Sequence, residues 1–277
     1  MTRLHVFRTG SVWIKAAQVR AAGSGLTRTI NGLFGAGWSA ELPIYAYLIE
    51  RDDGLILVDT GETADVMTLG YFDRWHPYYR FSVRFAVKPE DEIGPQLCGA
   101  GFDPTAVGTV VQTHMHTDHA GGLRHFPQAR VIVSETEWKT ASGFAGRAGG
   151  YPNHRWPNWL KPDLWSLQKP TGDLLEASRP LTADSAVRVV ATPGHTLGHV
   201  SVSVEDGDRL FLIAGDVSYL QETLLQTIPD GLGADPEAEV ATHRAILDLA
   251  RQRPLVYLNG HDPDCAGRLE RREALPV

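Results

Sequence analysis

Thr113-His114-Met115-His116-Thr117-Asp118-His119-Ala120-Gly121-Gly122 sets four metal-capable side chains within six consecutive positions, 114 to 119. A soluble chain seldom does this without an ion. In an extended segment side chains alternate, so His114 and His116 share one side. The turn that follows carries Asp118 and His119 in a different direction, and one short stretch can serve two neighbouring cations. Imidazole and carboxylate donors suit zinc, iron or manganese, and no thiolate lies nearby to enforce zinc. The small residues Ala120-Gly121-Gly122 let a helix begin close behind the ligands.

Outward from this stretch, other short apolar runs also end abruptly in acidic or histidine residues: LVDTG at 57–61, LIAGD at 212–216 and VYLNGH at 256–261. Polar side chains at strand ends project from loops on one edge of a sheet, the usual place for a site in an α/β fold. Strands are expected at Leu4–Phe7, Ser11–Ile14, Val107–Thr113, Arg130–Ser134, Val187–Ala191, Val200–Val204, Leu210–Ala214 and Leu255–Leu258. A hairpin joins Ile44–Glu50 to Leu55–Asp59 through Asp52-Asp53-Gly54. Helices are expected from Glu62, over Pro89–Cys98, over Asp118–Phe126, after the capping box Ser134-Glu135-Thr136-Glu137, and from Asp235-Pro236 to about Arg251. Strands in hairpins, several followed by helices, give a mixed α/β order with helices packed outside sheets. The chain reads as one domain, 1–277, with a Trp-, Pro- and Gly-rich surface excursion at about 142–172.

The 277 residues carry a formal charge of −7, which argues against nucleic acid as the main partner. The two cysteines, Cys98 and Cys265, fit a reducing compartment better than a disulfide framework. No apolar run reaches the roughly 18 residues of a membrane span, and the N-terminal apolar pieces are broken by Arg3, Arg8, Lys15 and Arg20. The expectation is a cytoplasmic protein acting on a small molecule, without nucleic acid or membrane, with an aromatic N-terminal third able to form a homodimer interface.

The ordered motifs LVDTG (57–61), THMHTDHAGG (113–122), TPGHTLGH (192–199), AGD (214–216) and NGHD (259–262) resemble those of the metallo-β-lactamase superfamily. That resemblance runs from about Pro43 to His261 and implies a four-layer αββα sandwich with two metals at one edge. Carried over, His114, His116 and His195 hold one ion, Asp118, His119 and His261 hold the other, and Asp216 bridges them. Asp59 matches the family's acid near the first motif, whose physical task is to orient a ligand imidazole. His199 reads as a histidine that orients its loop. His5, His76, His125, His154 and His243 read as surface or packing residues.

Asp216-Val217-Ser218-Tyr219 resembles the N-acyl-homoserine lactonase branch, with its Asp-x-Ser-Tyr pattern and catalytic tyrosine. The resemblance implies a binuclear hydrolase with two divalent ions, zinc first and iron, manganese or cobalt as alternatives. A hydroxide shared by the ions would open a lactone ring, Tyr219 would donate to the developing oxyanion, and Asp118 or a water would return the proton. Leu33, Phe34, Trp38, Phe72 and Trp75 are candidates for the groove that takes the acyl tail; packing is the alternative role for them. A glyoxalase II-type thioesterase shares the seven ligands but would want a basic C-terminal patch, of which Arg268, Arg271 and Arg272, interleaved with Glu270 and Glu273, are a weak echo. The non-enzyme alternative is a metal-bound sensor or inactive relative.

Overall fold

The computed structural model describes residues 2–167, 174–176 and 178–277. Among these residues seven strands form one sheet: β1 (Thr2–Ile14), β2 (Leu42–Arg51), β3 (Gly54–Val58), β4 (Val83–Ala86), β5 (Val107–Val111), β6 (Arg130–Ser134) and β7 (Asp163–Trp165), in the order β4-β1-β2-β3-β5-β6-β7. Five form a second: β8 (Arg179–Pro180), β9 (Val187–Ala191), β10 (Val200–Asp206), β11 (Arg209–Gly215) and β12 (Leu255–Asn259), in the order β12-β11-β10-β9-β8.

Alternation along the strands decides the layering. Tyr45, Tyr47 and Ile49 of β2, Val200, Val202 and Val204 of β10, Phe211 and Ile213 of β11, and Val256 and Leu258 of β12 share one buried cluster between the sheets. Their intervening neighbours face outward under helices. Ala46 and Leu48 join Ile93, Leu97, Leu123 and Phe126. Leu210, Leu212 and Tyr257 join Ile246, Leu247 and Leu249 of the helix Pro236–Gln252. Both faces of both sheets are therefore covered, and so these strands read as nearly continuous apolar runs. The layers run helix, sheet, sheet, helix, the αββα sandwich expected.

Several boundaries differ from the sequence reading. Leu4–Phe7 and Ser11–Ile14 are one strand, broken only by a register shift between Arg8 and Ser11, where Gly10 takes a φ of 133°. The helix expected from Glu62 is a single 3₁₀ turn, Ala64–Met67. Carboxylates of Glu62 and Glu92 accept the backbone N–H groups of Thr63 and Ala64 in place of helical carbonyls. Pro89–Cys98 divides at Glu92, whose extended backbone separates a 3₁₀ turn from the helix Ile93–Gly99. Asp118–Phe126 likewise divides into a short helix, Thr117–Ala120, and a 3₁₀ stretch, Gly121–His125. Within the 142–172 excursion, Asp163–Trp165 adds a parallel edge strand to the first sheet and Trp165 is buried between the sheets, so that part is not surface chain; positions 168–172 lie outside the described residues. The sequence reading omits the ten-residue helix Gly25–Phe34. No helix among the described residues is long and apolar enough to cross a membrane.

Candidate metal centre

β3 pairs parallel to β5, and β9, β11 and β12 run in one direction through their pairings with β10 and each other. Each of these five strands therefore delivers its C-terminal loop to the same edge of its sheet. Asp59 follows β3, the 113–122 stretch follows β5, His195 follows β9, Asp216 follows β11 and His261 follows β12. The seven expected ligands converge there as three overlapping sets: His114, His116 and His195; His114, His119 and Asp216; and Asp118, His119 and His261.

Distances among their donor atoms fit cations. His114 Nε2 and His195 Nε2 lie 2.9 and 3.1 Å from His116 Nδ1. Donors about 2.1 Å from a tetrahedral zinc stand about 3.4 Å apart. Asp216 sits in the middle, with Oδ1 3.2 Å from His119 Nε2 and Oδ2 3.6 and 3.3 Å from His195 and His261 Nε2. His261 Nε2 is 3.6 Å from Asp118 Oδ2. His119 Nε2 and Asp216 Oδ1 are buried without a hydrogen-bond partner. Buried polar atoms left so are costly, and a cation between these two would satisfy both.

Titration follows the same layout. Burial, with neighbouring imidazoles, drives His114 and His116 well below the ordinary histidine range, leaving lone pairs free. Burial likewise pushes His199 down to about 3. Burial works downward at His119, His195 and His261 too, but carboxylates outweigh it: Asp216 and Asp59 at His119, Asp230 at His195 (to about 9), and Asp216 at His261. Burial would raise Asp216, yet His119 and His261 hold it well below the carboxylate range. A buried anion thus gathers positive charge around it, the role a bound cation fills more completely.

Four of the five ligand imidazoles, those of His114, His119, His195 and His261, have a partner for the ring nitrogen turned away from the cluster. Asp59 accepts from Thr113 N, the Thr113 hydroxyl and His119 Nδ1, each at 2.8 Å. The Thr113 hydroxyl in turn accepts from His114 Nδ1 at 3.1 Å. His261 Nδ1 donates to the Pro43 carbonyl, and His195 Nδ1 to Asp230 at 2.5 Å. His199 Nε2 accepts the backbone N–H of Asp216 at 3.0 Å, so it holds the loop of the central carboxylate.

Three buried carboxyl groups here were not singled out from sequence. Glu137 accepts from Met115 N and from the Thr196 hydroxyl, joining the loops of two ligand motifs. Glu62 accepts from the Thr117 hydroxyl, and burial pushes it up to about 8. Asp230 bonds His195. Of these, only Glu137 lay in a recognised pattern, the capping box; the Ser134 hydroxyl does accept from Glu137 N, but the glutamate side chain turns toward the site instead of back to the cap.

A cavity of about 340 Å³ opens on the cluster. His116, Asp118, His195 and Asp216 form its floor, and Tyr219, Tyr78, Val12, Ile14, Leu33 and Phe85 are among its walls. The Tyr219 ring centroid is 6.0 Å from that of His195 and 5.4 Å from that of His261. Of the five residues expected in an acyl groove, Leu33 alone lines this cavity. Phe34 and Trp75 are exposed on the surface. Phe72 stacks on Tyr79 at 3.8 Å, and Trp38 is covered by Lys15 and Arg84. Packing takes up those two rings. His76, read as a packing residue, lines the cavity.

Comparison with known proteins gives the same picture. The chain is 30% identical over 236 residues to the N-acyl homoserine lactonase AttM of Rhizobium radiobacter, covering 83% of this chain and 86% of that one. It is 27% identical over 237 residues to the N-acyl homoserine lactonase AiiA of Bacillus thuringiensis subsp. kurstaki, covering 84% and 87%. A solved N-acyl homoserine lactone hydrolase with N-hexanoyl-L-homoserine bound at its catalytic metal center superposes with a TM-score of 0.74 at 22% identity, over 99% of this chain and 97% of that one. AidC, a dizinc quorum-quenching lactonase, superposes with a TM-score of 0.65 at 16% identity, over 95% and 88%. These superpositions show a shared fold. The metallo-beta-lactamase superfamily model matches residues 40–261, and with the ligand loops placed as that fold requires, the chain belongs to the metallo-beta-lactamase superfamily.

Proposed function

We propose that this protein is a hydrolase that opens the ring of N-acyl homoserine lactones, with His114, His116, His195, Asp118, His119, His261 and Asp216 holding two divalent cations. The observation that carries the reading is the convergence of those seven side chains, four of which, His116, Asp118, His195 and Asp216, line a partly apolar cavity. The relatives named for this activity support the substrate class. Zinc is the first candidate on the nitrogen and oxygen donors. Bound there, the ions would supply Lewis acidity and lower the pKa of water.

The chain's own groups do the rest. Water adds to the ring carbonyl, the ring C–O bond breaks, and the product is the acyclic hydroxy acid. Burial, with Asp230 and Tyr78 nearby, holds the Tyr219 phenol far above its ordinary pKa, so it acts as a hydrogen-bond donor to the carbonyl oxygen as charge develops. Asp118, the more accessible carboxylate of the cluster, takes a proton from the attacking water and hands it to the leaving ring oxygen. Val12, Ile14, Leu33 and Phe85 offer the acyl tail an apolar wall.

The basic C-terminal patch that would favour the thioesterase alternative is not free. Arg268 is buried against Asp262, Arg271 pairs with Glu273 and Arg272 with Asp206, so none is a free cation for an anionic carrier. A panel of acyl-homoserine lactones, other lactones, thioesters and a nitrophenyl phosphodiester tests the proposal. Turnover of the acyl-homoserine lactones above the rest is expected; preference for a thioester or phosphodiester would overturn it.

A further inference from the structure

The outer partners of the ligand imidazoles are not alike. His114 is held by a threonine hydroxyl, His261 by a backbone carbonyl, and His119 by Asp59, which the Thr113 backbone fixes in place. His195 depends on Asp230, a carboxylate brought in by a turn remote from every ligand motif. We propose that Asp230 is the positioning residue for His195, and that its turn ties the helix walling the cavity to the cation held by His114, His116 and His195. The inference rests on the metal-dependent reading above.

The two oxygens of Asp230 divide the work. Oδ2 takes the His195 Nδ1 proton at 2.5 Å, while Oδ1 accepts the backbone N–H groups of Leu232 and Gly233. The same carboxylate therefore folds its own turn and aims the imidazole. A charged acceptor on Nδ1 fixes the tautomer and raises the basicity of Nε2, the atom facing the cluster. Glu239 stands behind, accepting Asp230 N at 2.8 Å and so fixing the backbone of the turn. A Cβ on Gly233 would lie 2.5 Å from Glu239 Oε2 and 3.0 Å from Asp230 Oδ1, so a side chain there would push on both carboxyl groups.

Backbone bonds lock the turn on both sides. Toward the metal loop, Ala234 N donates to His195 O and Asp235 N to Gly194 O, both at 3.0 Å. Toward the cavity wall, Gly231 N donates to Gln18 O at 2.8 Å, and Arg28 donates to Asp230 O at 3.1 Å and Gly233 O at 3.0 Å. Arg28 lies on the helix Gly25–Phe34, which places Leu33 in the cavity wall beside Leu232 of the turn. The tail-facing helix cannot shift without pulling on the residue that aims His195.

The test titrates the metal-stripped full chain with zinc against a chromogenic chelator, and follows zinc release to excess chelator. The parent binds two ions. Asp230→Asn, which keeps the size and an acceptor oxygen, should weaken one ion about ten- to a hundredfold and speed its release, with the other ion unchanged. Asp230→Ala should exceed that loss, with the metal-free melting temperature as the folding control. Arg28→Ala should loosen the same ion by about two- to tenfold. Parent-like affinity at both sites in Asp230→Asn would overturn the positioning role while leaving the lactonase reading intact. Parent-like affinity in Arg28→Ala would overturn the tie through the turn. A parent that binds no zinc would overturn the metal-dependent reading itself, and this inference with it.

Discussion

Asp59 has a φ of 59°. That left-handed conformation costs a non-glycine residue about 1–2 kcal/mol, and here three hydrogen bonds to its carboxylate hold it. Backbone strain at such a place accompanies a functional constraint: the strained turn is what lets one carboxylate reach both Thr113 and His119. Asp59→Asn keeps the shape but removes the charge. It should weaken retention of the ion at Asp118, His119 and His261 by about ten- to a hundredfold, read by metal analysis after dialysis; full retention would deny Asp59 that task. Tyr219→Phe removes a hydroxyl and nothing else from the cavity wall. Turnover should fall by about a hundredfold with metal content unchanged, and an unaltered rate would take Tyr219 out of the reaction. At this scale the seven clustered histidines and aspartates were legible because they stand in short motifs at strand ends. Glu62 and Asp230 were not, because a lone carboxylate in a sequence looks like any solvated charge until the fold buries it.

Among the elements, loops that carry ligands are packed against one another without slack. A Cβ on Gly198 would come within 2.1 Å of Glu137 N and 2.5 Å of Glu137 Cα, backbone atoms that cannot swing aside. Gly198→Ala should destabilise the protein by about 2 kcal/mol or more, measured by denaturant unfolding; a change within 0.5 kcal/mol, the size of a neutral surface substitution, would show that the loop has room. On the helical side of the first sheet, Glu92 accepts from Ala64 N, from Arg124 Nη2 on both carboxylate oxygens at 2.8 Å, and from His125. Burial would raise its pKa, but Arg124, Ala64 and His125 outweigh it and hold it below the usual carboxylate range. A group depressed in the folded state stabilises above its unfolded pKa of about 4.3, and that contribution is lost as pH falls through the lower folded value. Glu92→Gln should therefore cost about 1–2 kcal/mol at pH 7, with the gap to the parent closing below about pH 4; a gap constant with pH would mean the charge is immaterial. Strands were legible here from apolar runs and turn residues. The helix Gly25–Phe34 was not, although Leu26, Ile30, Leu33 and Phe34 stand at helical spacing, because Gly25, Thr27, Thr29 and Gly32 are weak helix formers.

Across the whole molecule, the cluster joins what the core alone only stacks. His114, His116, Asp118 and His119 come from the loop after β5 of the first sheet, and His195, Asp216 and His261 from loops of the second. A ligand that binds only the folded chain stabilises it by about 2.7 kcal/mol at a hundred times its Kd. Chelation should accordingly lower the melting temperature by several degrees, and zinc should restore it; a melting curve indifferent to both would mean that the ions do not pin the sheets together. The sandwich was legible from the order of motifs and the mixed strand–helix pattern. What was not legible was which aromatics face the cavity, since Phe72 and Trp38 are claimed by ring stacking and cation contacts that link distant segments.

Metal content and proton release, taken on one sample with an N-acyl homoserine lactone, test the central claim most directly. The structure predicts about two divalent ions per chain, acid formed as the ring opens, and both signals abolished by chelation and restored by zinc. Ring opening that survives in a chain stripped of metal would contradict it, as would a fully loaded chain that leaves the lactone intact.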